Sequence, residues 1–218
     1  MSVPSVPTKG RTLDYAAPVY DLLEPLCLLN KQAVYDQTLI QTLAPQPGDT
    51  ILDLGCGTGL LCQKISALLD PAQGGCITGI DAAGAMIEAA REKRGAPHCR
   101  FEAMAAEQLT FKDGSFDAVI SSLFYHHVPL DLKQQSLKEA FRVLKPGGRL
   151  VIADMDKPTT LLGALVSHAS RWLFMQPQIA ENIRGVLPEL MVTAGFLPPQ
   201  RKAHFFGYIT VFATTKPV

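Results

Sequence analysis

The chain has 218 residues, 47% of them apolar and 18% charged, which excludes a disordered protein and fits one large domain. Twenty basic residues balance twenty acidic ones, so nucleic acid is not an expected partner, because displacing its counterions needs a basic excess. No run of about 18 apolar residues occurs, so no transmembrane helix is expected.

The polar opening MSVPSVPTKGRTLDY reads as neither a signal nor a transit peptide, and the expected location is cytoplasmic. Residues 1–14 read as a flexible tail. A helical region follows from Pro18 to Leu43, with apolar clusters at Val19, Leu22, Leu23, Leu26 and at Val34, Leu39, Ile40, Leu43; Pro45, Pro47 and Gly48 end it. Then the period shortens. Thr50–Leu54 is a buried strand, Leu60–Leu69 a helix, and Cys76–Ile80 a strand ending at Asp81. Met86–Arg94 is a helix with basic residues in its last turn, and Cys99–Met104 a strand. Ser115–Ser122 is a strand, Leu132–Leu144 an amphipathic helix stopped by Pro146-Gly147-Gly148, and Arg149–Asp154 a strand. Leu161–Met175 and Leu187–Ala194 read as helices, and Phe205–Thr214 as a closing strand or hairpin. This alternation means βαβ units and an α/β, doubly wound, mostly parallel sheet with helices on both faces. The five cysteines, at 27, 56, 62, 76 and 99, show no CxxC spacing, so neither a metal site nor a disulfide framework is expected.

The chemistry sits in Asp53-Leu54-Gly55-Cys56-Gly57-Thr58-Gly59. A strand runs into three alternate glycines and a helix begins at once. Glycines without Cβ atoms let a ligand lie on the backbone, and the helix start leaves N–H donors free. Asp81, at the end of the next strand, is placed to accept both ribose hydroxyls of a nucleoside; the plainer role is capping the following helix. The register is GxGxG, whereas the dinucleotide fingerprint is GxGxxG. An acid at Asp53 discourages phosphates and suits a cationic ligand. S-adenosylmethionine, phosphate-free and carrying a sulfonium and an ammonium, fits these residues better than NAD.

The segment 53–59 resembles the first motif of class I S-adenosylmethionine-dependent methyltransferases. Gly114–Ser121 resembles their fourth-strand motif, and Leu144-Lys145-Pro146-Gly147-Gly148-Arg149-Leu150 their fifth. Together with Tyr20-Asp21-Leu22, which is similar to an N-terminal lid, they resemble the small-molecule branch that includes ubiquinone/menaquinone-biosynthesis and phospholipid N-methyltransferases. The resemblance runs from about Tyr15 to Lys216. It implies one Rossmann-like methyltransferase domain over 15–218, with a helical lid at about 15–45, a cap helix inserted at about 159–185, and a seven-stranded sheet whose C-terminal strand is antiparallel. It also implies that Gly55, Cys56, Gly57 and Gly59 form the cofactor loop, Asp53 holds the methionine ammonium, and Asp81 the ribose. Ala82 and Met86 would flank the adenine, Ser121 would lie near the methionine portion, and Tyr20 would close over the cofactor. Ala105-Ala106 stands where many relatives carry Asp-Ala, so the adenine amino group would turn to a backbone carbonyl or to Glu107.

Methyl transfer is an in-line displacement, so positioning can carry most of the catalysis. Tyr125, His126 and His127 follow the fourth strand, where the crevice opens, and are the candidate catalytic residues; packing is the alternative role. Asp154 and Asp156 either line an acceptor pocket or cap the adjoining loop. The segment 161–175, rich in Leu, Trp172, Phe174 and Met175, reads in three ways: a plain core helix, a roof for a lipophilic small-molecule acceptor, or a peripheral membrane contact with Arg171 near lipid phosphates. The functional expectation is methyl transfer to a quinol precursor or a phospholipid headgroup. The alternatives are a non-catalytic cofactor-binding regulator and a nicotinamide-dependent oxidoreductase.

Overall fold

The computed structural model describes residues 3–18, 20, 21, 31–173 and 177–218. Seven strands form one sheet: β1 (Thr50–Leu54), β2 (Cys76–Asp81), β3 (Cys99–Ala103), β4 (Phe116–Ser122), β5 (Leu144–Met155), β6 (Gln200–Phe205) and β7 (Ile209–Thr215). Their order is β3-β2-β1-β4-β5-β7-β6. The first five are parallel, and β7 runs antiparallel to both its neighbours. The expected doubly wound fold is therefore present, with its closing segment as a hairpin.

Seven α-helices are described: α1 (Gln32–Leu43), α2 (Leu60–Ser66), α3 (Gly84–Arg94), α4 (Leu130–Val143), α5 (Leu161–Leu173), α6 (Ile179–Ile183) and α7 (Leu187–Thr193). Neighbouring strand residues bury on opposite faces. Leu52, Leu54, Val119, Leu150 and Ile152 join α4 and α7, whereas Ile51, Ala118, Ile120, Val151 and Ala153 join α1, α2 and α3. Burial on both faces is why these strands read as unbroken apolar runs. Val19, Leu22, Leu23, Leu26, Cys27, Phe174 and Met175 lie outside the described residues. Among the described residues no helix is long and apolar enough to cross a membrane.

Two regions differ from expectation. Residues 3–14 are not a loose tail but have fixed partners along the sheet's C-terminal edge. Val6 N–H donates to the Ala82 carbonyl at 2.8 Å, Gly84 N–H to Ser5 Oγ at 3.0 Å, and Arg11 N–H to the His127 carbonyl at 3.2 Å. The helix at 161–173 is also not a core helix, since Leu161, Leu162, Leu165 and Trp172 all face solvent.

Candidate functional site

The strand order reverses between β1 and β4, and a crevice opens at their carboxyl ends. Its floor is the loop after β1. Gly55 and Gly57 take φ of +74° and +53°, the left-handed region that glycine enters at no steric cost. Space demands glycine at 55 as well, where a Cβ would lie 2.5 Å from the Phe124 ring; at 57 a Cβ would meet the Tyr20 ring at an ordinary 3.7 Å. Gly59 serves packing, since its missing Cβ admits the Phe101 ring.

Asp81 ties the floor together. Its Oδ2 accepts from Gly57 N–H at 3.1 Å and its Oδ1 from Ala83 N–H at 2.8 Å. Each oxygen has capacity for a further hydrogen bond, and Asp81 lines the crevice. The capping and the ligand-facing roles are thus both built into one carboxylate. Burial pushes its pKa up, against the two N–H bonds that pull it down.

The crevice has two joined halves that share Tyr20, Gly55, Gly57 and Ser122. The larger half is the one beside Asp81. Asp81, Ala82, Met86, Met104, Ala106 and Glu107 form one wall, and the segment Thr8–Leu13 lies across it. Glu107 Oε1 accepts from the Thr8 hydroxyl at 2.6 Å, so the wall carries a carboxylate two residues past Ala105, which is buried. The smaller half is lined by Gln32, Asp36, Asp53, Cys56, Thr58 and Leu61. Asp36 pairs with Lys64 at 2.5 Å, and Asp53 accepts from the Cys62 thiol at 3.1 Å. The buried Asp53 carboxylate suits an ammonium and repels phosphate, whereas the charge of Asp36 is already met by Lys64. Burial pushes the Cys56 thiol up to about 11, so it remains a weak nucleophile beside any bound sulfonium.

The residues therefore fit S-adenosylmethionine: a glycine floor, a carboxylate beside it at Asp81, and an acidic half around Asp53. Ser121 does not line the crevice. It is fully buried and its hydroxyl donates to the Leu54 carbonyl at 2.8 Å; Ser122, one step along the pleat, takes the lining place and bonds the Tyr35 hydroxyl at 2.9 Å.

The lid has an anchor that sequence reading passed over. Asp21 accepts from the Thr58 hydroxyl at 2.5 Å, from Arg94 at 2.8 Å and from Lys93 at 2.9 Å, holding Tyr20 above Gly57. Burial raises the Asp21 pKa, but these donors outweigh it and hold it at about 2. A depressed acid pKa contributes stability above the unfolded value and loses it as pH falls towards the folded one. The lid anchor is therefore expected to be intact above about pH 4 and lost towards pH 2. Asp21→Ala is expected to weaken S-adenosylhomocysteine binding about tenfold by calorimetry and to lower the unfolding temperature. Unchanged affinity would show that the anchor does not serve the site.

The three candidate catalytic residues part company. They form a 3₁₀ turn (Tyr125–His127) in which the His126 and His127 rings lie together, their centroids 3.9 Å apart, while Tyr125 goes to the core. His127 lines the crevice. His126 packs against the His127 ring behind it, its Nδ1 2.8 Å from Asp154 Oδ1. Tyr125 points into the core, fully buried, and burial drives its hydroxyl pKa up, so it is not placed to meet an acceptor. Asp154 is buried and organises the turn, accepting also from Tyr125 N–H at 2.6 Å. Asp156, also buried, accepts from Thr210 at 2.9 Å. Leu123, in the left-handed region with φ +54°, brings β4 sharply into this turn.

Comparison with known proteins gives the following similarities. A family model described as a methyltransferase domain matches residues 52–152. The ubiquinone/menaquinone biosynthesis C-methyltransferase of Geotalea daltonii is 32% identical over 93% of this chain and 94% of its own length. Among solved structures, an S-adenosylmethionine-dependent methyltransferase from Thermotoga maritima superposes with a TM-score of 0.69 at 21% identity, covering 93% of this chain and 97% of its own. Phosphoethanolamine N-methyltransferase 2 of Haemonchus contortus, solved with S-adenosylmethionine, has a TM-score of 0.65 at 17% identity, covering 84% of this chain and 52% of its own.

Proposed function

The chain belongs to the class I S-adenosylmethionine-dependent methyltransferases, and we propose that it methylates a small lipophilic acceptor, in the first place the ring carbon of a quinol precursor. The observation that carries the acceptor class is the crevice wall beyond the glycine floor. Leu123, Phe124 and Val128 make it apolar, and His127 places one imidazole among them. Full-length similarity to a quinone-biosynthesis C-methyltransferase supports the same reading. A phospholipid headgroup amine is the second acceptor, supported by the fold shared with a phosphoethanolamine enzyme.

S-adenosylmethionine supplies an activated methyl group on a sulfonium. In this reading the chain's own residues bind and orient. Asp81 holds the ribose, Asp53 faces the ammonium, Ala82 and Met86 flank the adenine, and Tyr20 covers the floor. Apolar side chains exclude water from the acceptor. His127 takes the proton that the acceptor loses as its new bond to the methyl carbon forms and the carbon–sulfur bond breaks. General bases of this kind contribute about 10²–10⁴-fold. His127→Ala is therefore expected to lower kcat by that factor while leaving S-adenosylhomocysteine affinity unchanged.

The test is incubation of the protein with a membrane lipid extract and methyl-labelled S-adenosylmethionine, followed by mass spectrometry. Label in the quinol or phenol fraction supports the ring acceptor, and label in the phospholipid fraction selects the headgroup. Label confined to water-soluble products overturns the lipophilic acceptor.

A further inference from the structure

We propose that α5 docks this protein on an anionic lipid bilayer. The helix is built inside out. Gly163 and Ser167 are buried, whereas Leu161, Leu162, Leu165 and Trp172 are 93%, 68%, 66% and 74% exposed. At 100° per residue those four side chains fall within an arc of about 100°, so they form one continuous stripe. A core helix has the reverse arrangement.

The inversion is fixed by packing on the inner side. A Cβ at position 163 would lie 2.4 Å from the Gly207 carbonyl, so the small face of α5 sits directly on the turn between β6 and β7. The helix start is capped by Thr160, whose Oγ1 accepts from Gly163 N–H at 3.0 Å. The large side chains therefore cannot turn inward without losing this seat.

Charge selects the occupant. No Asp or Glu occurs from Lys157 through Ala180, while Lys157, His168 and Arg171 do. The Arg171 guanidinium lies 5.5 Å from the centre of the Trp172 ring, at the edge of the stripe. An apolar stripe with an interfacial tryptophan, cationic flanks and no carboxylates matches the headgroup and acyl boundary of an anionic membrane. A second copy of the chain would bury the leucines but would gain nothing from the missing acids.

This surface stands on the helix and not on the acceptor, so the two readings fail separately. Trp172 is the chain's one tryptophan, which makes it a reporter of its own environment. With phosphatidylglycerol–phosphatidylcholine vesicles, its emission is expected to shift to the blue and the protein to co-float. Leu161→Ser with Leu165→Ser should weaken vesicle binding by about tenfold or more. Arg171→Glu should remove the preference over pure phosphatidylcholine. Each variant should keep its S-adenosylhomocysteine affinity, which certifies the fold. Unchanged emission with every vesicle, or equal binding to pure phosphatidylcholine, overturns the proposal. So does a lipid-free, concentration-dependent blue shift with doubled mass in light scattering, which would assign the stripe to a second copy.

Discussion

Asp81→Ala is expected to lower the affinity for S-adenosylhomocysteine by about 1.5–3 kcal/mol, one to two orders of magnitude in Kd, read by titration calorimetry. The loss has two sources in one carboxylate. The ribose acceptor disappears, and the N–H groups of Gly57 and Ala83 lose the oxygens that hold the floor and the start of α3 in place. A partly buried N–H without an acceptor is costly, so the unfolding temperature should fall as well. Asp81→Asn keeps one oxygen for one of the two N–H groups but turns an NH2 towards the other, so stability and affinity should both fall, the unfolding temperature by less than in Asp81→Ala. The pH profile offers a further sign. Burial raises the Asp81 pKa above the ordinary aspartate value, and the ionised form is the better acceptor. Affinity should be full at neutral pH and decline on acidification before an exposed aspartate would titrate. Wild-type affinity in Asp81→Ala, with a lowered unfolding temperature, would leave Asp81 as a helix cap alone.

The second large effect lies beneath the crevice wall. Lys133, on α4, is wholly buried, and its three N–H donors are matched one for one. Nζ donates to the Val128 carbonyl at 2.7 Å, to Glu181 Oε2 at 2.7 Å and to the Gln178 carbonyl at 3.2 Å. Val128 belongs to the crevice wall, and Gln178 and Glu181 belong to the α6 region, so one ammonium joins the site to the segment that carries α5. Burial lowers the Lys133 pKa, with Glu181 opposing that shift. Lys133→Ala breaks a buried pair and leaves the carbonyls unbonded, so a loss of about 3–5 kcal/mol in urea unfolding is expected. Glu181→Gln keeps an acceptor for Nζ and should cost distinctly less. Equal costs, or a loss under about 1 kcal/mol for Lys133→Ala, would show that the pair is a solvent-screened one.

The parallel strands were legible because burial on both faces writes each as a short apolar run, and the glycine turn followed by Asp81 marks the crevice by spacing alone. Finer placement was less legible. Ser121 and Ser122 differ by one step of the pleat, and the pleat's phase at the end of a strand is set by neighbours far away in sequence. Tyr125, His126 and His127 look equivalent as a string, but the turn buries Tyr125, sets His126 behind the His127 ring and leaves His127 on the crevice. Asp36 and Gln32 reach the crevice from α1, and only the packing of that helix on the sheet brings them there. Half of that helix is polar, so the Gln32–Asp36 pair four residues apart does not stand out in the string. The segment 3–14 has no periodicity and is held by single hydrogen bonds to residues more than seventy positions away. The helix α5 teaches a related point. Its composition revealed an apolar helix but not which face turns inward. The small residues Gly163 and Ser167 on the face opposite the leucines were the available signal, since small residues permit close backbone approach.

A crystal grown with S-adenosylhomocysteine is the most direct examination of where the donor sits. The account predicts the sugar against the Asp81 carboxylate, the base between Met86 and the Glu107 wall under residues 8–13, and the amino-acid tail towards Asp53 and Asp36. Density lodged away from this crevice, or a crevice kept filled by the Tyr20 ring with the compound present, would contradict it.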